Sequence, residues 1–326
     1  MLIVFISKKN MKAIKVIEEN LVISETPVPL PGDDEVLIKV KAAGINRADI
    51  AQRKGLYPPP PGASEILGLE CSGIIESVGK NVSARQPGDE VIALLGGGGY
   101  GEYVTCPQFH TLYKPANLNW VEAASIPEVY ATCWLNLFME ASMKEGDKVV
   151  FHAGASGIGT AGIQLAKAFG CESFVSAGSK NKIDMCINLG ASDGEVRSRD
   201  IFSKIKSWAP EGVDVILDPV GAEYFESNLN VLGIEGRLVI IGLMSGAQTN
   251  LNLGHLMIKR QKIIGSTIRA RNVETKNIVM EELSQKVLPL FKSGELIPII
   301  HETYPLSESE KAHEIMEANE NIGKII

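Results

Sequence analysis

A chain of 326 residues is long for one core and ample for two domains. Hydrophobic residues make up 45% and charged residues 22%, a balance that excludes a disordered chain and a membrane-embedded one. The formal net charge of −7 gives no electrostatic reason for a nucleic-acid partner.

Residues 1–10 read as a short extension outside the fold. Their apolar run at 2–6 is far too short to span a bilayer and lacks the basic region of a secretory leader, and Met11 opens a second plausible start. From Met11 to Pro127 the pattern is strand and turn. Runs at 12–16, 21–26, Glu35–Ala43, Glu70–Val78, Glu90–Leu94 and 103–106 alternate with breakers such as Pro29-Leu30-Pro31-Gly32-Asp33 and Gly79-Lys80-Asn81, so this half is mostly β. The glycine run 96–101 leads into Glu102-Tyr103-Val104-Thr105, a strand and not a helix, and therefore reads as a loop rather than a phosphate cradle. Tyr57-Pro58-Pro59-Pro60-Pro61-Gly62 lies between ordered elements and reads as a stiff loop that fixes Tyr57.

Residues 120–143 change to a helical rhythm. After Gly146-Asp147, strands at 149–152, 174–176, Val213–Asp218 and 238–241 alternate with helices at 158–168, 181–188 and 225–232, the signature of a doubly wound parallel sheet. Past Gly265, a long helix at 274–293 and an amphipathic one at 307–318 frame two short strands, 299–304 and 323–326, that have no β-α-β partner in the alternating half before them. Five scattered cysteines, Cys71, Cys106, Cys133, Cys171 and Cys186, form no C-x-x-C pair and point to reduced thiols, hence to a cytoplasmic setting.

Residues 148–169 combine a buried strand, a glycine turn and a helix whose N-terminus faces the turn. Gly154, Gly157 and Gly159 leave room for close backbone approach. The N–H groups of the helix start, Ile158 included, attract a pyrophosphate, and Ser156 adds a hydroxyl. The spacing is G-x-x-G-x-G, so context carries the reading. One strand later, Gly178 is followed by Ser179, Lys180, Asn181 and Lys182, where an NAD site usually places a carboxylate against the ribose 2′-hydroxyl. A hydroxyl and two ammonium groups there favour a 2′-phosphate, so the cofactor reads as NADPH, with Ser179 and Lys182 as first contacts and Lys180 third. The alternative is an ordinary solvated helix start. His152 reads as packed within its strand.

The stretches Gly44-Ile45-Asn46-Arg47-Ala48-Asp49, Leu67-Gly68-Leu69-Glu70-Cys71-Ser72-Gly73, Pro87-Gly88-Asp89-Glu90-Val91, 153–162 and Asn319-Glu320-Asn321-Ile322-Gly323-Lys324 are specific in combination. From Met11 to the C-terminus the chain resembles the quinone oxidoreductases of the zinc-independent medium-chain dehydrogenase/reductase superfamily. Leu56-Tyr57-Pro58-Pro59-Pro60, Ser125-Ile126-Pro127-Glu128 and Gly242-Leu243-Met244 extend the likeness. The resemblance implies an α/β protein with a doubly wound Rossmann domain at 128–267. A mostly β, GroES-like catalytic domain at 11–127 and 268–326 would complete it. Zinc relatives hold their metal with a Cys and a Gly-His-Glu. Here Asn46 and Leu69 stand at those positions, and an amide and an aliphatic chain cannot replace thiolate and imidazole.

The implied reaction is metal-free hydride transfer from NADPH to an acceptor that is already electrophilic. Resemblance places Asn46, Tyr57 and Thr132 on the acceptor side, Asn46 donating to a carbonyl oxygen and Tyr57 passing a proton. It places Gly242, Leu243, Met244 and Thr267 by the nicotinamide and Arg197 by the adenine or 2′-phosphate. The bland counterparts are a turn asparagine, a half-buried loop tyrosine and a helix hydroxyl bonded to its own backbone. The favoured activity is an NADPH:quinone oxidoreductase. Reduction of α,β-unsaturated carbonyls is the nearest alternative, and a slow-turnover NADPH-binding structural or regulatory protein is the alternative of another class. The small-molecule acceptor is the expected partner, together with further copies of the chain, as a dimer or tetramer.

Overall fold

The computed structural model describes residues 9–326. They divide into two compact units, residues 9–128 with Arg269–Ile326, and Val129–Ile268.

In the first unit β1 (Asn10–Ile17) and β2 (Asn20–Pro27) form an antiparallel hairpin. Val28 N donates to the Lys9 carbonyl at 2.9 Å and Asn10 opens β1, so these two residues belong to the fold rather than to an extension. The rest of that expected extension lies outside the described residues. Strands β3 (Glu35–Ala43), β4 (Glu70–Val78), β5 (Glu90–Leu94), β6 (Tyr103–Pro107) and β7 (Thr111–Tyr113) form an antiparallel sheet in the order β6-β3-β4-β5-β7. Their inward Val, Ile and Cys side chains, among them Val36, Ile38, Cys71, Ile75 and Val91, close one core. The glycine run lies in the connection from β5 to β6.

Between β3 and β4 the chain makes helix α1 (Arg47–Arg53), an element that apolar periodicity does not announce. Its start is a capping box, in which Asn46 N donates to Asp49 Oδ2 at 2.8 Å.

The second unit is a six-stranded parallel sheet of β8 (Lys148–Phe151), β9 (Glu172–Ala177), β10 (Asp193–Val196), β11 (Val213–Asp218), β12 (Leu232–Ile240) and β13 (Lys262–Gly265). The order β10-β9-β8-β11-β12-β13 is that of a doubly wound sheet, with its switch point between β8 and β11. Val149, Val150 and Phe151 are all buried, as a strand covered on both faces requires. Helices α2 (Gly157–Ala168), α3 (Lys180–Leu189) and α4 (Ala222–Val231) follow β8, β9 and β11. β10, β13 and the helices Ile201–Trp208 and Leu253–Lys259 go beyond what periodicity marks.

The returning segment re-enters the first unit at Arg269. Its long helix runs Val273–Glu282, a wider π-helical turn Leu283–Val287, and Leu288–Ser293. β14 (Ile300–Glu302) and β15 (Lys324–Ile325) pair with each other in parallel. Ile45 N donates to Ile325 O at 2.9 Å. Ala312 and Met316 of helix Ser309–Glu317 pack with Ile14, Ile45, Ile50 and Leu67, which seats α1 against the C-terminal segment.

Candidate functional site

In the second unit the chain leaves β8 through a turn that tolerates no side chain at its closest approaches. A Cβ on Gly154 would press on Val175, one on Gly159 would fall inside contact with the Gly154 carbonyl, and one on Gly162 would enter the Phe151 ring. Gly154 N donates to Ser176 O at 2.9 Å. Ser156 caps α2 by accepting from Gly159 N at 3.1 Å, and its own hydroxyl hydrogen stays available to donate. The N–H groups of Gly157 and Ile158 have no acceptor inside the helix. Space, open N–H groups and the positive end of a helix of 12 residues together fit a pyrophosphate.

Beyond β9, Ser179 caps α3, accepting from Lys182 N at 3.4 Å. The Lys180 ammonium is held by Asp184 at 2.9 Å on the exposed helix face. Arg197 N donates to Ala177 O at 2.8 Å, and a Cβ on Gly178 would lie 3.4 Å from Arg197 Nη2, so that guanidinium stands at the same corner. After β12, Ile241 N donates to Asp218 O at 2.9 Å and Met244 N to Pro219 O at 3.2 Å. Leu243 and Met244 are exposed beside Gly242, and Thr267 is exposed just past β13. Residues 154–159, 179–182, 197, 242–244 and 267 therefore lie beyond the carboxyl ends of one sheet, where open α/β sheets bind ligands. Beneath them His152 is buried, its Nε2 2.8 Å from Asn228 Oδ1, while Asn228 Nδ2 donates to Asp218 Oδ2 at 3.1 Å. Burial lowers the His152 pKa to about 4, so the imidazole is neutral and packed.

In the first unit Asn46 is buried and its amide is engaged at both ends. Nδ2 donates to Glu70 Oε1 at 2.9 Å and reaches Gly44 O at 3.5 Å, while Oδ1 accepts from Lys324 Nζ at 2.6 Å. Lys324 also donates to Ile45 O at 2.7 Å and pairs with Glu70 Oε1 at 2.6 Å. The second oxygen of Glu70 accepts from Glu128 N at 2.8 Å. Asp49 accepts from Asn46 N and Gly68 N, and burial raises its pKa to about 6. Asn46 thus anchors a closed buried network, and the amide that resemblance directs at an acceptor points inward. This donor set does not fit zinc. Leu69 is an apolar core residue, and an ammonium already stands beside the Asn46 oxygen. Among the described residues no group of three His, Cys, Asp or Glu side chains is arranged to hold a metal ion.

Tyr57 follows the C-terminal end of α1 and is half-buried, with the Arg269 guanidinium 5.3 Å from its ring centre. Arg269 Nε donates to Gly96 O at 2.9 Å, and Nη2 to Gln52 Oε1 of α1 at 2.6 Å. Asn46 and Tyr57 therefore bracket the same helix. Thr132 lies buried on helix Pro127–Cys133 in the second unit, where its carbonyl accepts from Asn136 Nδ2 at 2.8 Å.

Sequence reasoning assigned no role to Glu70, Lys324 or Arg269. The first two carried a signal, because a charge inside Leu67-Gly68-Leu69-Glu70-Cys71 or Gly323-Lys324-Ile325-Ile326 implies a buried partner. Arg269 sits in a polar stretch with no such contrast.

The family model of the alcohol dehydrogenase GroES-like domain matches residues 32–116, and that of the zinc-binding dehydrogenases matches 157–285. Quinone oxidoreductase of Homo sapiens is 33% identical over 98% of this chain and 98% of its own. A synaptic vesicle membrane protein VAT-1 homolog of Danio rerio is 30% identical over 90% of this chain, which spans 63% of that relative's length. Among solved structures, the CurK enoyl reductase superposes with a TM-score of 0.84 at 29% identity, covering 97% of this chain and 98% of its own. A mycobacterial protein complexed with NADPH superposes at 0.87 with 26% identity, over 97% and 98% of the two chains.

Proposed function

The chain belongs to the medium-chain dehydrogenase/reductase superfamily, among its quinone oxidoreductases, and from that premise we propose that it reduces quinones with NADPH and without metal. The observation that carries the cofactor choice is the corner at Gly178, where the Ser179 hydroxyl caps the helix that carries Lys182 and the Arg197 guanidinium stands alongside, at the place an NAD-selecting carboxylate takes. When bound, NADPH supplies the hydride. The N–H groups of Gly157 and Ile158 and the Ser156 hydroxyl hold its pyrophosphate, with Gly154 and Gly159 giving the clearance. Ser179, Lys182 and Arg197 hold the 2′-phosphate, and Lys180, drawn to Asp184, contributes less. Gly242, Leu243, Met244 and Thr267 flank the nicotinamide half. Tyr57 passes a proton to the reduced acceptor, Thr132 adds an acceptor-side hydroxyl, and Asn46 acts by fixing α1 ahead of Tyr57.

The test is NADPH oxidation against ortho- and para-quinones, enals and simple alcohols with a metal chelator present. Quinone turnover with NADPH, little with NADH and none with alcohols is expected; equal rates with both nucleotides would overturn the corner argument. The likeness to an enoyl reductase favours α,β-unsaturated carbonyls as the second reading, and faster enal than quinone turnover would select it. Tight NADPH binding with negligible turnover on every acceptor would instead mark a binding protein. Tyr57→Phe is expected to slow turnover by about 10²-fold while leaving NADPH affinity largely intact.

A homo-oligomer is part of the proposal. β13 is an edge strand, and the neighbouring helix Leu253–Lys259 exposes Leu253, Met257 and Ile258. Light scattering on the Ile258→Glu variant should show dissociation. The five cysteines are buried and none is joined in a disulfide, which supports a reducing, cytoplasmic setting. Among the described residues no helix is long and apolar enough to cross a membrane.

A further inference from the structure

Beneath the carboxyl ends of β8, β9 and β11, the side chains of Ser176, His152, Asn228 and Asp218 form one chain of hydrogen bonds, and none of the four is more than 2% exposed. Its direction is fixed from one end. The Asp218 carboxylate only accepts, so the Asn228 amide turns Nδ2 towards it at 3.1 Å and leaves Oδ1 facing His152 Nε2 at 2.8 Å. Nε2 therefore carries the imidazole proton, and Nδ1 accepts from the Ser176 hydroxyl at 3.1 Å. The remaining capacity of Asp218 goes to the backbone that follows it. Oδ1 accepts from Val220 N at 2.6 Å, and Gly221 N lies 3.3 Å from each carboxylate oxygen.

Residues 218–221 are the seat of loop 242–246. Ile241 N donates to Asp218 O at 2.9 Å, Met244 N to Pro219 O at 3.2 Å and Ser245 N to Val220 O at 2.8 Å. The Ser245 hydroxyl donates to Val220 O at 2.8 Å and accepts from Glu223 N at 2.9 Å. The two segments leave each other no slack. A Cβ on Gly242 would lie 2.8 Å from Pro219 O and one on Gly221 2.9 Å from Gly246 O, and Gly221 holds a φ of +88° that favours glycine. We infer that the chain from Ser176 to Asp218 positions loop 242–246, so that buried polar groups out of reach of the cofactor set how tightly its nicotinamide half is held. The inference rests on the proposed place of Gly242, Leu243 and Met244 beside the nicotinamide. Such a chain selects one arrangement, because turning any link leaves a buried donor or acceptor without its partner.

Titration of the full chain with NADPH and with adenosine 2′,5′-bisphosphate separates the outcomes, since the second ligand keeps the adenosine half and its 2′-phosphate and lacks the nicotinamide half. The native chain is expected to bind NADPH the more tightly. Asn228→Leu breaks the chain at its centre and should weaken NADPH about tenfold while leaving the bisphosphate unchanged. Asp218→Asn, a change of equal size that sets two amide N–H groups against each other, should do the same and serves where Asn228→Leu does not fold. Ser245→Ala removes the loop's own tie at an exposed position, where folding is not at stake, and should weaken NADPH alone by about threefold. Ser245→Thr keeps the hydroxyl and should bind as the native chain does. Any folded variant of the first three that binds NADPH normally, or that loses both ligands alike, overturns the positioning role. A native chain that binds NADPH no more tightly than the bisphosphate overturns instead the place given to Gly242, Leu243 and Met244, and the inference with it.

Discussion

At the glycine turn, α2 presents the N–H groups of Gly157 and Ile158 with no acceptor inside the helix, and the corner beside it carries Lys182 at a half-buried position and Arg197 at an exposed one. Around Asn46 every polar end is closed. The amide, the Glu70 carboxylate, the Lys324 ammonium and the Asp49 carboxylate satisfy one another or nearby backbone. A region that catches a charged ligand keeps its donors open at a sheet edge, whereas a region that holds a helix in place closes its donors on itself. Residue type alone does not separate the two, because an asparagine or a lysine serves either purpose.

The contrast breaks most sharply at Glu70. Glu70→Gln leaves the Lys324 ammonium buried without its counter-charge, and urea unfolding should show a loss of about 3–5 kcal/mol. The double variant Glu70→Gln with Lys324→Met should recover much of that loss, because both charges then leave together. NADPH affinity of the folded protein should hardly move in either. The reciprocal change is Gly159→Val, whose side chain would collide with the Gly154 carbonyl. Fluorescence titration of the folded protein should show NADPH affinity falling about a hundredfold, near 2.7 kcal/mol, a loss that Glu70→Gln does not produce, and the unfolding midpoint should fall as well because the turn must shift. If Glu70→Gln lost cofactor affinity and kept stability, the division between open and closed regions would fail.

The open region was the more legible one in the sequence. A glycine turn, its helix and the Ser179-Lys180-Asn181-Lys182 corner are local, and backbone rules act within a few residues. Strands Glu35–Ala43, Glu70–Val78 and Glu90–Leu94 were legible for the same reason, with bounds set by turn residues on either side. The closed region joins Asn46 to Glu70, 24 residues away, and to Lys324, 278 residues away. No period or spacing encodes such a pairing. Helix α1 escaped because its seven residues are too few to show a periodic stripe, although Asn46 and Asp49 carry its capping signal. Helix Leu253–Lys259 escaped because Leu253, Met257 and Ile258 are exposed, and strand β13 because its two isoleucines are both only half-buried, so the in-out contrast that marks an element is missing.

Acid should separate the two units by a smaller amount. Burial lowers His110, His152 and His313 to about 4 and raises Asp49 and Asp218 to about 6. Between about pH 4 and 6 each such histidine binds a proton only when unfolded, so acidification costs stability. Each such aspartate binds one only when folded, so acidification returns it. In the second unit His152 and Asp218 cancel. In the first, His110 and His313 outweigh Asp49 by one proton, which corresponds to about 1.4 kcal/mol per pH unit. Hydrogen exchange followed by peptide should therefore show the first unit loosening as pH falls through this window while the second stays level; the reverse order would sink the proton balance.

The smallest effect is the most direct test of the open corner. Lys182→Glu and Arg197→Glu each place a carboxylate where the 2′-phosphate is proposed to lie, and each should lower NADPH affinity about tenfold, near 1.4 kcal/mol, while leaving NADH affinity unchanged. Lys180→Glu should do less, because Asp184 already draws that ammonium aside. Salt distinguishes this from the closed network. Added salt should weaken NADPH binding in the native protein and shrink the penalty of both variants, since these charges are screened over about 10 Å at 0.1 M. The cost of Glu70→Gln should stay nearly constant with salt, because counter-ions cannot approach a pair that is 0% and 4% exposed. A salt response of equal size in the two places would mean that the Asn46 network is as open as the corner.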